Sequence, residues 1–253
     1  MSKRKMTNLV KKLKEDILAS GLPTEIQVSN MLRQDNWTAI NQYAYIDERT
    51  RKMRTLDIEA RKFLKGDRSC TLFVECKKAT DHQWLFYTQT VLSESIGILL
   101  RTTESIALTR GVETAGPFYS VHPVGILHED TKLGIISYIP FGKKDDFNEA
   151  RNQILSAIES GKLTTNEQVI VYSVIVFDGD IYEIGIEGGD IELSEANYIT
   201  FVSSMISEVT PILIDVVTLR HFPTYLEMLG KELGPARSIE DLLEKFPKRT
   251  QAS

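Results

Sequence analysis

The sequence lacks the features that mark several large classes of protein. It has only two cysteines in 253 residues, Cys70 and Cys76. Because both lie on one apolar stretch, we expect reduced core thiols and no disulfide framework. No stretch approaches the roughly 20 apolar residues of a membrane-spanning helix. The formal net charge is −5, so no overall basic field indicates a nucleic-acid partner. These absences favour a cytoplasmic protein without a membrane partner.

Signatures of several kinds of active site are also missing. The four histidines show no zinc-ligand spacing with one another or with the cysteines. The chain has no phosphate-binding glycine loop, no dinucleotide-binding fingerprint and no nucleophile elbow. With 42% apolar and 26% charged residues, the composition is typical of a globular protein with a substantial core. One domain over residues 1–253 is the simplest organisation.

Hydrophobic periodicity predicts a mixture of helices and strands. Residues 5–19 show helical spacing, and a second helix is expected to be capped by Thr24. Three strands should follow, within 37–46, 53–61 and 70–77. Farther along, the pattern predicts a hairpin of 119–127 with 133–139, a helix from Asp145, a hairpin of 169–177 with 181–186, a helix at 194–207, a strand at 211–218, and helices at 221–229 and 238–246.

The most informative feature is the tripeptide Glu75-Cys76-Lys77 at the end of the apolar run Cys70-Thr71-Leu72-Phe73-Val74. A buried strand seldom carries a carboxylate and an ammonium, because desolvating a charge is costly unless the charge is paired or bound to a metal. Residues two apart on a strand point to the same side, so Glu75 and Lys77 should share one face. No other Glu-x-Lys occurs in the chain, so this copy does not reflect a general richness in the motif.

A second carboxylate is expected beside this pair. Asp57 lies on the preceding strand, where Leu56, Ile58 and Ala60 should share the opposite face. Neighbouring strands lie about 4.8 Å apart, so hairpin pairing can bring Asp57 and Glu75 together.

Two such carboxylates repel each other unless they are protonated or bridged by a cation, and carboxylate oxygens suit Mg²⁺. Lys77 would then orient or help deprotonate the attacking water, or stabilise charge on a phosphate. Glu25, on the preceding helix, is a candidate third carboxylate.

These segments resemble the core of the PD-(D/E)xK nuclease superfamily, which includes restriction endonucleases and archaeal Holliday-junction resolvases. The resemblance rests on residues 53–60 followed by 72–78, and on the order helix, strand, strand with Asp, strand with Glu-x-Lys. It covers residues 24–78, and Leu56 stands where the family often has proline. It implies an α/β fold with a restriction-endonuclease-like core, a mixed central sheet flanked by helices, and C-terminal α/β additions.

The resemblance also implies a function: a Mg²⁺- or Mn²⁺-dependent nuclease, of the endonuclease type, that acts on DNA. Asp57, Glu75 and the backbone carbonyl of Cys76 would hold the metal, together with Glu25, which matches a helical acid of resolvase-like members. Lys77 would be catalytic alongside these acids. A homodimer is one arrangement that cuts both strands of a duplex by symmetry.

A basic cluster adjoins the predicted site and is a candidate nucleic-acid contact. Beside a phosphodiester site such residues contact phosphates, whereas elsewhere they form a solvated loop. Its members are Arg49, Arg51, Lys52 and Arg54 in one turn, with Lys78 on the same surface.

Two alternative functions stay open. One is a catalytically inactive member of the same fold that serves as a binding or scaffold module, which the net charge of −5 favours. The other is an enzyme such as a glycosidase that uses a carboxylate pair without metal, which the adjacent Lys77 disfavours.

Overall fold

A computed structural model describes residues 3–47, 50–64, 68–79, 81–90, 118–120, 132–160, 169–204 and 211–233. These residues form an α/β fold in which four α-helices flank one large mixed sheet of eleven strands. The expected mixed sheet with flanking helices is therefore confirmed. None of the described helices is long and apolar enough to cross a lipid bilayer.

The described elements begin with two helices and three strands, in the order expected from the sequence. The helices are α1 (Lys3–Ala19), α2 (Leu22–Gln34), α3 (Asp146–Ser160) and α4 (Phe222–Leu233). The strands are β1 (Thr38–Ile46), β2 (Met53–Leu64), β3 (Arg68–Lys78), β4 (Trp84–Thr90), β5 (Phe118–Ser120), β6 (Lys132–Tyr138), β7 (Val169–Asp178), β8 (Ile181–Glu187), β9 (Asp190–Ala196), β10 (Tyr198–Ser204) and β11 (Pro211–Thr218). A 3₁₀ turn, Pro140–Gly142, precedes α3.

The sheet places β3 well inside its edges. The strand order is β1-β2-β3-β7-β11-β10-β6-β4-β8-β9, and β5 pairs separately with β7. Strands β1, β2 and β3 form an antiparallel meander, whereas β7 runs parallel to β3 along nearly all of its length. A strand with a neighbour on each side and a covered face on each side must be apolar almost throughout. This explains the apolar run that leads to Glu75.

Two hydrophobic clusters cover opposite faces of the sheet. The first packs α2 and α4 against the sheet and includes Leu72 and Cys76 of β3. The second packs α3 against the sheet and includes Phe73 of β3. The two-residue period of a strand then directs Glu75 and Lys77 toward α3, which confirms that they share one side. Both cysteines are free and buried, as expected.

The alternation of β2 is interrupted at Asp57. Ile58 and Ala60 pack in the first cluster, whereas Leu56 packs in the second, so the prediction that all three share a face is wrong. The pairing of β2 with β3 ends at Ile58. On the other side, the β1–β2 ladder has pairs at Asn41 and Tyr43 but none at Gln42. The φ of Gln42 is 54°, which is rare for a residue other than glycine. Asp57 therefore lies where the pairing of β2 is interrupted on the β1 side and ends on the β3 side.

Tertiary contacts override two local predictions. Helix α2 begins at Leu22, and Thr24 lies inside its first turn, where the hydroxyl donates to Asp178 Oδ2 at 3.3 Å instead of capping the helix. Residues 194–207 were expected to be helical, but their described part contains the end of β9 and all of β10. Strand β10 is internal to the sheet, and its Ile199 and Phe201 side chains are buried in the second cluster.

The hairpin predicted for 169–177 with 181–186 does not form, and residues 121–131 of the other predicted hairpin lie outside the described residues. Strand β7 lies between β3 and β11, while β8 pairs with β4 and β9. Strand β5 pairs in parallel with β7, and β6 pairs with β4 and β10. A turn signal in the sequence does not specify which strands will pair. The helix expected at 238–246 lies outside the described residues.

Replacing Leu72 with alanine should lower the free energy of unfolding by about 2–5 kcal/mol, because this side chain is fully buried between the sheet and α2. Phe63→Ala is the matched control. It removes a larger apolar side chain from β2, but one that is 78% exposed, so the change should stay within about 0.5 kcal/mol. Urea unfolding followed by circular dichroism measures both. Equal losses in the two variants would contradict the burial of β3.

Candidate functional site

Two carboxyl groups meet where β2 and β3 separate. The register that pairs Ile58 with Val74 places Asp57 at the level of Glu75. The Asp57 amide donates to Glu75 Oε1 at 3.3 Å, and the Cys76 amide donates to Asp57 Oδ2 at 2.8 Å. Each carboxyl group is thus held by a backbone N–H of the other strand, so the backbones of the two strands fix the pair.

Burial changes the acid–base behaviour of this pair. Glu75 is fully buried and Asp57 is half-buried. Burial first, and then the charge of Asp57, raises the pKa of Glu75 from 4.5 to about 8, although nearby Lys77 opposes the shift. Burial also raises the pKa of Asp57, against the lowering effects of the Cys76 amide and Lys77. At neutral pH the pair therefore retains a proton unless a cation replaces it.

Lys77 lies beside the pair and contacts α3. Its Nζ is 3.6 Å from Glu75 Oε2, longer than a hydrogen bond, and it donates to Gln153 Oε1 at 3.1 Å. The Lys77 side chain is 19% exposed. Among the described residues, Glu75 Oε2 has no hydrogen-bond partner. A buried carboxyl oxygen in this position needs a proton or a cation, because a buried polar atom left unsatisfied is costly.

Glu25 lies near the pair and is directed toward β1. It stands in the first turn of α2, and its Oε2 accepts a hydrogen bond from Gln42 Nε2 at 3.0 Å. Burial and then the charge of Asp57 raise the pKa of Glu25, while Lys77 lowers it. The carboxylate is therefore within electrostatic range of both residues. Glu25 and Gln42 also line a pocket of about 340 Å³ between α2 and β1.

The site offers a cation a partial set of ligands. Among the described residues, no group of three or more His, Cys, Asp or Glu side chains is arranged to hold a metal ion. The Cys76 N–H points to Asp57, and the carbonyl of a strand residue lies on the same side as its N–H. Asp57, Glu75 and this carbonyl fit Mg²⁺, which keeps several waters and uses only one or two carboxylates.

The predicted basic cluster is divided in the structure. Arg54 Nε donates to Asp47 Oδ2 at 2.6 Å in the β1–β2 connection. Lys78 Nζ donates to the Leu18 carbonyl at 2.7 Å, near the end of α1. Both cations thus have partners within the chain. The remaining members are Arg51 and Lys52, which are exposed, and Arg49, which lies outside the described residues.

Several residues that complete the site carry no signature in the sequence. Gln153 contacts Lys77 from 76 positions away, and Gln42 contacts Glu25 across 17. The Tyr45 hydroxyl donates to the Gln153 backbone carbonyl at 3.1 Å. No local pattern marks these polar residues, because their roles arise only when β1 and α3 pack around β3.

No protein-family model, curated protein or solved structure matches this chain. A functional assignment must therefore rest on the residues and on their geometry. The decisive geometry is the buried carboxyl pair with Lys77 beside it.

The raised pKa of Glu75 predicts a pH-dependent stability. Below about pH 4.5 the carboxyl is protonated in both the folded and the unfolded state, and between about 4.5 and 8 only the folded state keeps the proton. The free energy of unfolding should therefore fall as pH rises through this range. Because Glu75→Gln removes the titrating group, the wild type should lose on the order of a few kcal/mol relative to that variant between about pH 4 and pH 9.

Urea unfolding of both proteins across this pH range, without divalent cations, measures the difference. Glu192→Gln is the control, because Glu192 is exposed on β9, at the opposite edge of the sheet from β1. This variant should keep the wild-type pH dependence. Parallel curves for the wild type and Glu75→Gln would contradict a raised pKa at Glu75.

Proposed function

We propose that the chain is a Mg²⁺- or Mn²⁺-dependent endonuclease of the PD-(D/E)xK type that hydrolyses phosphodiester bonds in DNA. One observation carries the proposal. The Asp57 and Glu75 carboxyl groups each accept a hydrogen bond from a backbone N–H of the opposite strand, and Lys77 Nζ lies 3.6 Å from Glu75 Oε2. Asp57 and the Glu-x-Lys motif lie on neighbouring antiparallel strands, in the order that the resemblance implies.

The same proposal covers the fold. Helix α2, the meander β1–β3, α3 and β7 would form a restriction-endonuclease-like core, and the later strands with α4 would be C-terminal additions. The core elements surround the site, because α2 supplies Glu25 and α3 supplies the contact to Lys77. DNA as substrate follows from the resemblance, and the exposed Arg51 and Lys52 are candidate phosphate contacts.

The residues divide the work of hydrolysis according to their charges. Asp57, Glu75 and the Cys76 carbonyl would hold the divalent cation, which when bound supplies Lewis-acid polarisation of a phosphate oxygen. Glu75 must lose its proton to act as a ligand. The Lys77 ammonium would stabilise the negative charge that develops on the phosphoryl oxygens. In the net reaction a water oxygen bonds to phosphorus, the ester oxygen leaves, and a proton from water is transferred to it.

An inactive module of the same fold is the second candidate. The observation in its favour is that Arg54 and Lys78, both expected to contact phosphates, bind Asp47 and the Leu18 carbonyl instead. Such a module would have no use for a divalent cation at Asp57 and Glu75. Metal binding therefore separates the two candidates.

Calorimetric titration should detect Mn²⁺ binding to the wild type and none to Asp57→Ala, because this variant removes one of the two carboxylate ligands. Affinity should rise with pH, since binding displaces the Glu75 proton. Glu192→Ala, far across the sheet, should bind as the wild type does. A folded wild-type protein that binds neither Mn²⁺ nor Mg²⁺ would favour the inactive module.

Closed circular plasmid DNA should be cut in the presence of Mg²⁺ or Mn²⁺. Asp57→Ala, Glu75→Ala and Lys77→Ala should each lower the rate by at least about 100-fold, the usual loss when a charge-stabilising group is removed. Glu192→Ala should retain the rate, and circular dichroism would show that each variant is folded. A wild-type protein that binds Mn²⁺ but cuts neither DNA nor RNA would overturn the nuclease proposal.

A further inference from the structure

The position of the Lys77 ammonium is set by two contacts of different kinds. One is the carboxyl oxygen Glu75 Oε2 at 3.6 Å, and the other is the amide oxygen Gln153 Oε1 at 3.1 Å. A lysine side chain is long and flexible. Once Glu75 is ionised, the ammonium should close to hydrogen-bond distance, where charge-assisted bonds are about 2.7–2.9 Å long, unless another acceptor holds it. Here the shorter contact is to the neutral amide, so the ammonium is held away from Glu75.

Gln153 is itself held firmly. The Tyr45 hydroxyl donates to its backbone carbonyl at 3.1 Å, and Tyr45 is only 5% exposed. The next two residues of α3, Ile154 and Leu155, are buried in the second hydrophobic cluster. The backbone at Gln153 is thus fixed from β1 and from the core, and its side chain reaches Lys77 from a rigid position.

A neutral acceptor suits this location. The site already contains the carboxyl groups of Asp57 and Glu75, and a third carboxylate would add to their repulsion. An apolar side chain would leave the ammonium with Glu75 Oε2 as its nearest acceptor. Lys77 would then occupy the oxygen that has no hydrogen-bond partner among the described residues. An amide oxygen avoids both outcomes.

We propose that Gln153 is a positioning residue, which holds the Lys77 ammonium beside Glu75 and leaves Glu75 Oε2 open to a divalent cation. The role of the cation rests on the proposed function, whereas the position of the Lys77 ammonium does not. Removal of Gln153 should therefore affect both the order of the ammonium and the affinity for metal.

The test compares Gln153→Leu, which removes the acceptor at similar volume, with Gln153→Glu, which keeps an acceptor oxygen. Asn152→Ala is the control, because Asn152 is the exposed neighbour on α3. In metal-free protein, ¹⁵N relaxation of the Lys77 ammonium, assigned with Lys77→Arg, should change clearly in Gln153→Leu. It should stay near the wild-type value in Gln153→Glu and Asn152→Ala.

Metal binding and turnover provide the second measurement. In Gln153→Leu the Kd for Mn²⁺ should rise about 10-fold, the usual size of an outer-shell effect, because Lys77 now competes for Glu75. The kcat for DNA cleavage should fall by a similar factor with little change in KM. Tyr45→Phe removes the hydroxyl that donates to the Gln153 carbonyl and should shift the same readouts in the same direction, which keeps the test valid if Gln153→Leu does not fold.

The outcomes distinguish this proposal from the nuclease proposal. If the wild type cuts no DNA, the nuclease proposal fails, while the ammonium relaxation and Mn²⁺ affinity still test Gln153. If Gln153→Leu and Tyr45→Phe match the wild type in relaxation and in Mn²⁺ affinity, the positioning role is overturned even where DNA cleavage stands. An equal change in Asn152→Ala would also overturn it, because the effect would then belong to α3 in general.

Discussion

The site depends on one constraint, the burial of two carboxyl groups side by side at the point where β2 and β3 part. Each group accepts a backbone N–H from the opposite strand, Asp57 to Glu75 and Cys76 to Asp57. These bonds stand where ladder bonds between the strands would otherwise continue, since the pairing ends at Ile58. The backbone is thus satisfied only while both carboxyl groups stay in place, which ties the chemistry of the pair to the path of the strands.

The part of this arrangement that lies in one hairpin can be predicted from the sequence. The apolar run before Glu75 indicates a buried strand, and an antiparallel neighbour with a short connection fixes the register that brings Asp57 alongside. Lys77 follows from the two-residue period alone. The failure at Leu56 is informative, because strict alternation assumes an uninterrupted ladder. The interruption at Asp57 and the positive φ of Gln42 have no signature in the sequence.

Contacts between distant segments could not be predicted in this way. The chain only bends at Gly179, and β8 pairs with β4 and β9, because the whole sheet determines which strands pair. Gln153 reaches Lys77 only because α3 packs on the face of β3 that Phe73 shares. For the basic residues, the sequence predicted more than the structure shows. Their number suggested a phosphate surface, but Arg54 is bound to Asp47 within its own turn.

The charge of the site favours a proton on Glu75 that a divalent cation would replace. With both carboxyl groups ionised, Lys77 leaves one excess negative charge around a fully buried glutamate, which is costly in a medium of low polarity. A proton on Glu75 removes that excess and accounts for its raised pKa. A divalent cation in its place would reverse the sign and leave one excess positive charge, which matches the single negative charge of a phosphodiester. The same desolvation that binds the proton would therefore favour the cation once an anionic substrate is present, because Asp57, Glu75, Lys77, cation and substrate together then carry no net charge.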